Sequence, residues 1–144
     1  MGREGTIFYS NCPWARASKR RFKLVVSILI VDDDVFLHKV LGRILTIGGH
    51  SVVGHAYDGV EAIDMFNGLK PKPDIILMDY RMPVMDGSSA TKELKHQNPD
   101  CRILFISADD SIKNEAFNAG ASGFLTKPIR GKDLFDAIDT QMAQ

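Results

Sequence analysis

From residue 27 onward, the sequence repeats one pattern five times: a short apolar run, then a segment whose apolar residues recur at helical spacing. The apolar runs are continuous, which is typical of strands buried on both faces of a sheet. Because two covered faces need helices on each side, the pattern predicts a doubly wound α/β fold with a parallel sheet and right-handed crossovers. The five predicted strands are Ser27–Val31, Ser51–Ala56, Asp74–Met78, Arg102–Ile106 and Gly123–Leu125.

The helices between the strands are marked by their apolar spacing and by glycine or proline near the point where the spacing stops. In the second helix, we expect Val60, Ile63 and Phe66 to face the core. The predicted helices are Val35–Ile47, Gly59–Leu69, Ser88–His96, Ser111–Ala119 and Lys132–Met142.

The formal net charge of the 144 residues is zero, but the charge is divided unevenly along the chain. Residues 1–26 carry a net charge of +5, and residues 27–144 carry −5. The hydrophobic content of 44% is that of a globular protein and excludes overall disorder. We therefore divide the chain into a basic N-terminal arm over residues 1–26, flexible or non-native, and one domain over residues 27–144.

Two further roles for the arm stay open, because the basic run Arg16–Lys23 has Trp14 and Phe22 nearby: nonspecific nucleic-acid binding and docking. The chain has no helix-turn-helix pattern, so we do not expect nucleic acid to be its main partner. No segment approaches the ~20 apolar residues that cross a bilayer. Cys12 and Cys101 lie far apart and lack metal-ligand spacing, which favours a reducing cytoplasm.

Polar residues with a shared chemistry stand where the predicted strands end. Asp32 and Asp33 follow the first strand, Asp79 the third, Ser107 the fourth and Lys127 the fifth. Ligands of open α/β sheets bind outside these strand ends. If the first and third strands are neighbours, three carboxylates converge and favour a bound cation, for which oxygen ligands suit Mg²⁺. A carboxylate, Mg²⁺, a hydroxyl and a lysine together are the groups that phosphoryl transfer needs.

Four segments at these strand ends together resemble the receiver domain of two-component response regulators. The resemblance covers about residues 27–142, and it implies the flavodoxin-like strand order 2-1-3-4-5 for the sheet. The four segments are Ile28–Asp34, Asp74–Gly87, Ile106–Ala108 and Lys127–Pro128.

The resemblance also implies a role for each residue that matches the family's motifs. Asp79 would accept a phosphoryl group from a histidine kinase. Mg²⁺, for which Mn²⁺ can substitute, would be bound by Asp32, Asp33 and Asp79, together with the main-chain carbonyl of Arg81. Lys127 would hold a phosphoryl oxygen.

A conformational switch is implied as well, in which the Ser107 hydroxyl turns toward the phosphoryl group and the Phe124 ring follows inward. Serine here replaces the more frequent threonine, and phenylalanine lacks the tyrosine hydroxyl. The Lys127–Pro128 peptide is expected to be cis. Arg81 and Asp109 occupy the positions that flank the path of the attacking water, and we expect an ion pair between them to slow hydrolysis.

These inferences predict a stand-alone cytoplasmic receiver that catalyses only its own phosphorylation and dephosphorylation. Its donor would be a sensor histidine kinase or a phosphotransfer protein. The face formed by the fourth helix, fifth strand and fifth helix would contact a downstream protein or a second copy. Two alternatives are a receiver fragment of a longer regulator and a phosphatase of the haloacid dehalogenase type. The phosphatase class needs a second Asp two residues after the nucleophile, where this chain has Arg81.

Other polar residues have simpler interpretations. Asp34 is predicted to cap a helix, and Asp86-Gly87 is predicted to form a turn. The histidines share no spacing and fall in different elements, so each is predicted to be structural or solvated rather than a ligand. They are His38, His50, His55 and His96.

Overall fold

The structure, a computed structural model, describes residues 25–143, and every predicted strand and helix is present in that span. Residues 1–24, which hold most of the predicted arm, lie outside the described residues. The elements are β1 (Ser27–Val31), α1 (Val35–Ile47), β2 (Ser51–Ala56), α2 (Gly59–Gly68), β3 (Ile75–Asp79), α3 (Gly87–Gln97), β4 (Ile103–Ser107), a 3-10 turn (Asp110–Ile112), α4 (Lys113–Ala119), β5 (Gly123–Thr126) and α5 (Gly131–Met142).

Two predicted strands are displaced by one residue, because β3 and β4 begin and end one position later than expected. Asp79 and Ser107 are therefore the last residues of their strands rather than the first residues of loops. The predicted fourth helix is also shorter, since its first residues form the 3-10 turn that precedes α4.

The five strands form one parallel sheet in the order β2-β1-β3-β4-β5, which confirms the order that the resemblance implied. The sheet register pairs Val31 with Met78, the residues just before Asp32 and Asp79. The chain therefore delivers these two carboxylates to the same edge of the sheet from neighbouring strands.

Successive side chains of each strand point to opposite faces, so the sheet separates two apolar cores. Leu29 and Val31 lie in one core, covered by α2, α3 and α4, which we call the α2–α4 core. Ile28 and Ile30 lie in the other, covered by α1 and α5, which we call the α1–α5 core. Because helices cover both faces of the sheet, the carboxyl ends of the strands are where polar side chains of the sheet gather.

The prediction that Val60 faces the core is wrong, since this side chain is 40% exposed. Ala62 and Phe66, four residues apart, form the buried stripe of α2, and Ile63 packs against its edge. At ~100° per residue, Val60 lies about 200° around the helix from Ala62 and so points away from the sheet.

Aspartates cap the helices that leave the sheet near the carboxylate edge. Asp34 accepts hydrogen bonds from the N–H groups of Phe36 and Leu37, which confirms its predicted role. Asp86 caps α3, because its Oδ1 accepts a hydrogen bond from the N–H of Ser89 at 2.8 Å. The turn predicted at Asp86-Gly87 is therefore the start of a helix. Each cap satisfies N–H groups that have no partner within the helix.

The start of the described chain is tied to the domain. Val26, which the predicted boundary assigns to the arm, is buried in the α1–α5 core, and its N–H donates to Nδ1 of His50 at 3.2 Å. None of the helices between residues 25 and 143 is long and apolar enough to cross a membrane.

Candidate functional site

The strand ends bring one cation between two carboxylates that are distant in sequence. Lys127, which directly follows β5, places its Nζ 3.0 Å from Oδ1 of Asp79 and 3.1 Å from Oδ2 of Asp32. Asp32 is 1% exposed and Asp79 is 6% exposed, so both contacts are largely shielded from water. In such surroundings, an ion pair is stronger than it would be at the surface.

Asp33 completes a cluster of three carboxylates. Asp32, Asp33 and Asp79 each present an oxygen, and these atoms lie within 4.8 Å of one another. Asp33 is exposed, which leaves the cluster open to solvent on one side. All three donors are hard oxygen ligands, and the cluster carries more negative charge than the one lysine can neutralise. The residues present therefore fit a hard divalent cation such as Mg²⁺.

The pKa of Asp79 reflects the same excess of negative charge in the cluster. Burial, followed by the charge of Asp32, raises the pKa of Asp79 from 3.8 to about 6, although the contact with Lys127 acts in the opposite direction. Burial alone would lower the pKa of Lys127, but its contacts with Asp79 and Asp32 outweigh that effect and raise it. Lys127 is thus held as an ammonium beside an under-compensated carboxylate.

Three hydrogen bonds fix the position of Asp32. Its Oδ1 accepts from the N–H of Asp34 at 2.8 Å, and its own N–H donates to the carbonyl of Ala56 at 3.1 Å. Its main-chain carbonyl accepts from Nε2 of His38 at 2.7 Å. Asp32 is therefore held in place by β2, by the first turn of α1 and by the loop between β1 and α1.

Two of the histidines that were predicted to be structural or solvated contact each other, although they share no sequence spacing. Nδ1 of His38 and Nδ1 of His55 lie 2.8 Å apart, and the ring of Tyr57 packs on His38 with ring centroids 4.3 Å apart. The two histidines are 17 positions apart, on α1 and β2. No sequence spacing indicates this contact, because it depends on how α1 rests against the edge of the sheet.

Ser107 lies at the end of β4, and its hydroxyl is engaged in a local hydrogen bond. Its Oγ accepts from the N–H of Asp109 at 3.0 Å, and its carbonyl accepts from the N–H of Lys127 at 2.8 Å. The second bond joins the ends of β4 and β5. The hydrogen bond from Asp109 could be replaced if a stronger acceptor came close, because the O–H group of Ser107 can rotate and donate to that acceptor.

Phe124 is half-buried beside the α2–α4 core rather than enclosed by it. Its ring stacks on Phe105 at a centroid distance of 6.4 Å and an interplanar angle of 11°. The Nζ of Lys113 lies 6.0 Å from the centre of the Phe124 ring, which joins α4 to β5. Thr126 also contacts the 3-10 turn, since its Oγ1 donates to Oδ1 of Asp110 at 2.7 Å.

The expected contact between Arg81 and Asp109 is present, with Nη2 of Arg81 3.6 Å from Oδ2 of Asp109. Both side chains are solvent-exposed, at 77% and 38%. Hydrogen bonds from Ser111 are the main reason that the pKa of Asp109 is lowered, and the charge of Arg81 adds to this effect. Arg81 also lines an open groove of about 540 Å³ with Asp33, and the proposed role of the Arg81 carbonyl in metal binding stays a prediction.

Two contacts around the site were missed by the sequence reasoning. The hydroxyl of Tyr80 donates to Glu115 at 3.4 Å, and Thr126 donates to Asp110 as described above. Each joins polar side chains of elements that are distant in sequence, for which neither spacing nor hydropathy gives a signal. The Lys127–Pro128 peptide is cis, as the resemblance implied.

Comparison with known proteins agrees with this geometry. Residues 28–139 match the family model described as the response regulator receiver domain. The chemotaxis protein CheY of Thermotoga maritima is 38% identical over 114 residues, which are 78% of this chain and 93% of that protein. The positive alginate biosynthesis regulatory protein of Pseudomonas aeruginosa is 36% identical over 115 residues, 78% of this chain but 46% of that protein.

Among solved structures, the CheX–CheY–BeF₃–Mg²⁺ complex from Borrelia burgdorferi superposes with a TM-score of 0.79 at 29% identity, over 83% of this chain and 90% of that one. This chain therefore belongs to the response regulator receiver domains of two-component systems and is of the chemotaxis CheY type.

Proposed function

We propose that this receiver accepts a phosphoryl group on Asp79 from the phosphohistidine of a sensor histidine kinase or a phosphotransfer protein, in a reaction that requires Mg²⁺. The observation that carries the proposal is the convergence of Asp32, Asp33 and Asp79 beside the Lys127 ammonium. The complex of the Borrelia relative, whose name includes BeF₃ and Mg²⁺, supports the same chemistry.

In the transfer step, a carboxylate oxygen of Asp79 attacks the phosphorus atom as the P–N bond of the donor breaks. The electron pair of that bond leaves with the imidazole nitrogen, and Asp79 becomes an acyl phosphate. Lys127 neutralises charge on a phosphoryl oxygen, since its ammonium already lies 3.0 Å from Asp79. Mg²⁺, held by Asp32, Asp33, Asp79 and the carbonyl of Arg81, would neutralise charge on the phosphoryl oxygens, and Mn²⁺ would serve in its place.

The new phosphoryl group supplies strong acceptor oxygens next to the end of β4. The hydroxyl of Ser107 then gives up the N–H of Asp109 and donates to a phosphoryl oxygen. Phe124 moves inward behind it and loses its contact with Lys113. The surface of α4, β5 and α5 thereby changes shape, and it binds a downstream protein or a second copy of the chain.

We further propose that the receiver works as a stand-alone cytoplasmic protein, as its match to 93% of the Thermotoga CheY suggests. An antibody against the receiver would then detect a native protein of about 16.0 kDa in the cytoplasmic fraction. A substantially larger native protein would instead support the alternative of a longer regulator, such as the Pseudomonas relative.

The central experiment incubates the full chain with phosphoramidate, a small donor with a P–N bond, and follows phosphoryl incorporation by intact-protein mass spectrometry. We expect one phosphoryl group in the presence of Mg²⁺ or Mn²⁺ and none after chelation with EDTA. Asp79→Asn should abolish labelling. Asp86→Asn is the matched control, because it removes a nearby carboxylate while asparagine keeps the helix cap.

Labelling that persists in Asp79→Asn, or that is lost equally in Asp86→Asn, would contradict the assignment of the phosphoacceptor. Failure of the unmodified chain to take up phosphate from any donor with Mg²⁺ would make it an inactive receiver scaffold. With labelling established, transfer from a panel of phosphorylated kinases then identifies the physiological donor.

A further inference from the structure

Two histidines that phosphoryl transfer does not use converge in a groove at the edge of the sheet. Nδ1 of His38 on α1 and Nδ1 of His55 on β2 are 2.8 Å apart. They line an open groove of about 380 Å³ between these two elements. Gly42 lies in the same groove, and a Cβ atom placed there would have no atom within 4 Å, so there is free space beside the pair.

A hydrogen bond to the main chain fixes the orientation of the His38 ring. Its Nε2 lies 2.7 Å from the carbonyl of Asp32, and a carbonyl can only accept, so Nε2 carries the hydrogen. In the neutral ring, Nδ1 then accepts a hydrogen bond from the Nδ1–H of His55, and a metal ion that takes the place of this hydrogen bond moves the His55 hydrogen to its Nε2. The ring is 3% exposed and packs on Tyr57, which limits its rotation. Histidines that bind metals commonly show this arrangement, with the second ring nitrogen donating to a carbonyl.

The separation of the two nitrogens is suited to one shared metal ion. With metal–nitrogen bonds of ~2.0–2.1 Å, two nitrogens 2.8 Å apart subtend about 85–90° at the metal. This is the angle between adjacent ligands in octahedral or square-planar coordination, which nickel and copper adopt with nitrogen and oxygen ligands. Tetrahedral zinc would need a wider separation, which a small movement of the exposed His55 provides.

The surroundings of His55 favour its neutral ring. Burial is the main reason that the pKa of His55 is lowered, and a positive charge on His38 would lower it further. A neutral imidazole is the form that coordinates a metal. Lys39 lines the groove as well, but its side chain is exposed and can turn into solvent.

We propose that His38 and His55 form a binding site for one divalent transition-metal ion of the nickel, copper and zinc group, with water as the remaining ligands. The site uses nitrogen donors and lies on the far side of Asp32 from Lys127. It is therefore chemically distinct from the oxygen cluster of Asp32, Asp33 and Asp79, and it does not depend on phosphoryl transfer.

Ni²⁺ is the probe of choice, because thiols do not reduce it and its paramagnetism broadens the NMR signals of nearby nuclei. The full chain is titrated with Ni²⁺ by calorimetry, with excess Mg²⁺ present to occupy the oxygen cluster. We expect one equivalent to bind and to broaden the imidazole signals of His38 and His55. Zn²⁺ should compete for the same site.

His55→Ala is the decisive variant, because His55 is exposed on an edge strand and its loss should leave the fold intact. We expect at least a tenfold weaker affinity for Ni²⁺ in this variant. His96→Ala, which removes an exposed histidine of α3, should bind as the unmodified chain does. Equal affinity in His55→Ala and the unmodified chain, or broadening centred elsewhere, would overturn the proposal. Phosphoryl labelling of Asp79 should be unchanged in His55→Ala, so the two proposals fail independently.

Discussion

Lys127 and Asp79 form a direct ion pair, with Nζ 3.0 Å from Oδ1, and yet the pKa of Asp79 is raised to about 6. One ammonium is shared between two carboxylates, and burial and the charge of Asp32 outweigh its effect. In the absence of metal, ionising Asp79 near neutral pH therefore lowers the stability of the folded protein.

The first prediction follows from the sign of this shift. Since the folded pKa lies above the ordinary value of 3.8, the contribution of Asp79 to stability is present below pH ~4 and is lost as the pH rises through about 6. Asp79→Asn removes the charge and should raise the free energy of unfolding at pH 7.5 by on the order of 1–3 kcal/mol. Urea unfolding in EDTA measures this difference.

The gain should shrink toward zero at pH 4, where Asp79 is largely protonated in the metal-free protein. It should also shrink when Mg²⁺ is added, since bound metal stabilises the folded unmodified chain. A gain that is equal at pH 4 and pH 7.5 would contradict the raised pKa of Asp79.

The second prediction concerns the exposed ion pair between Arg81 and Asp109, which we expect to flank the path of the attacking water. Arg81→Ala opens the path of the attacking water and should speed dephosphorylation of Asp79 by roughly 2–10-fold, which corresponds to about 0.4–1.4 kcal/mol in the barrier. Stability should barely change, because exposed ion pairs contribute less than ~1 kcal/mol. Decay of the phosphorylated form is followed by mass spectrometry.

Arg130→Ala is the control for this experiment, since Arg130 forms a similar exposed ion pair with Asp133 at 3.1 Å, at the start of α5. It should leave the phosphoryl lifetime unchanged. If Arg81→Ala decays at the rate of the unmodified chain or more slowly, Arg81 does not restrict hydrolysis.

The third prediction concerns Val84, which adopts φ = 69° and is 82% exposed. The left-handed backbone costs a non-glycine residue ~1–2 kcal/mol, and a β-branched side chain is especially unfavourable there. Val84→Gly should therefore raise the free energy of unfolding by about 1 kcal/mol, even after the larger entropy loss of glycine. Val60→Gly, at an exposed helical valine, should instead lower it by roughly 0.5 kcal/mol. Destabilisation by both changes would argue against strain at Val84.

The fourth prediction concerns Gly87, the first residue of α3, whose N–H donates to the carbonyl of Tyr80 at 2.9 Å. A Cβ atom at this position would overlap the carbonyl oxygen of Asp79. Gly87→Ala should lower the free energy of unfolding by about 2 kcal/mol or more and weaken Mg²⁺ binding, because the displaced backbone carries the phosphoacceptor. Urea unfolding and Mg²⁺ titration measure the two effects.

Gly68→Ala is the matched control, since a Cβ atom there has no atom within 4 Å and the residue ends a helix. It should leave Mg²⁺ affinity unchanged and stability equal or slightly raised. Equal losses in the two variants would mean that the contact between Gly87 and Asp79 has no special importance.

The sequence predicted the elements well because strands buried on both faces are continuous apolar runs. It did not by itself place Asp32 beside Asp79, since periodicity gives the strands but not their order; that step came from the resemblance to receivers. Val60 was misplaced because one apolar residue does not define the rotation of a helix. The contact between His38 and His55 was missed because it depends on the packing of α1 against the edge strand, which no local pattern records.

The strand β5 contributes to both cores, since Phe124 packs against the α2–α4 core and the next residue, Leu125, packs against the α1–α5 core on the other face of the sheet. A change in the Phe124 ring therefore alters contacts on one side of the sheet only. The α1–α5 core on the opposite side can keep its packing, while the surface that α4, β5 and α5 present at this edge of the sheet changes shape. Signalling state and resistance to unfolding thus become separable properties of this chain, so variants can be sought that alter one while leaving the other unchanged.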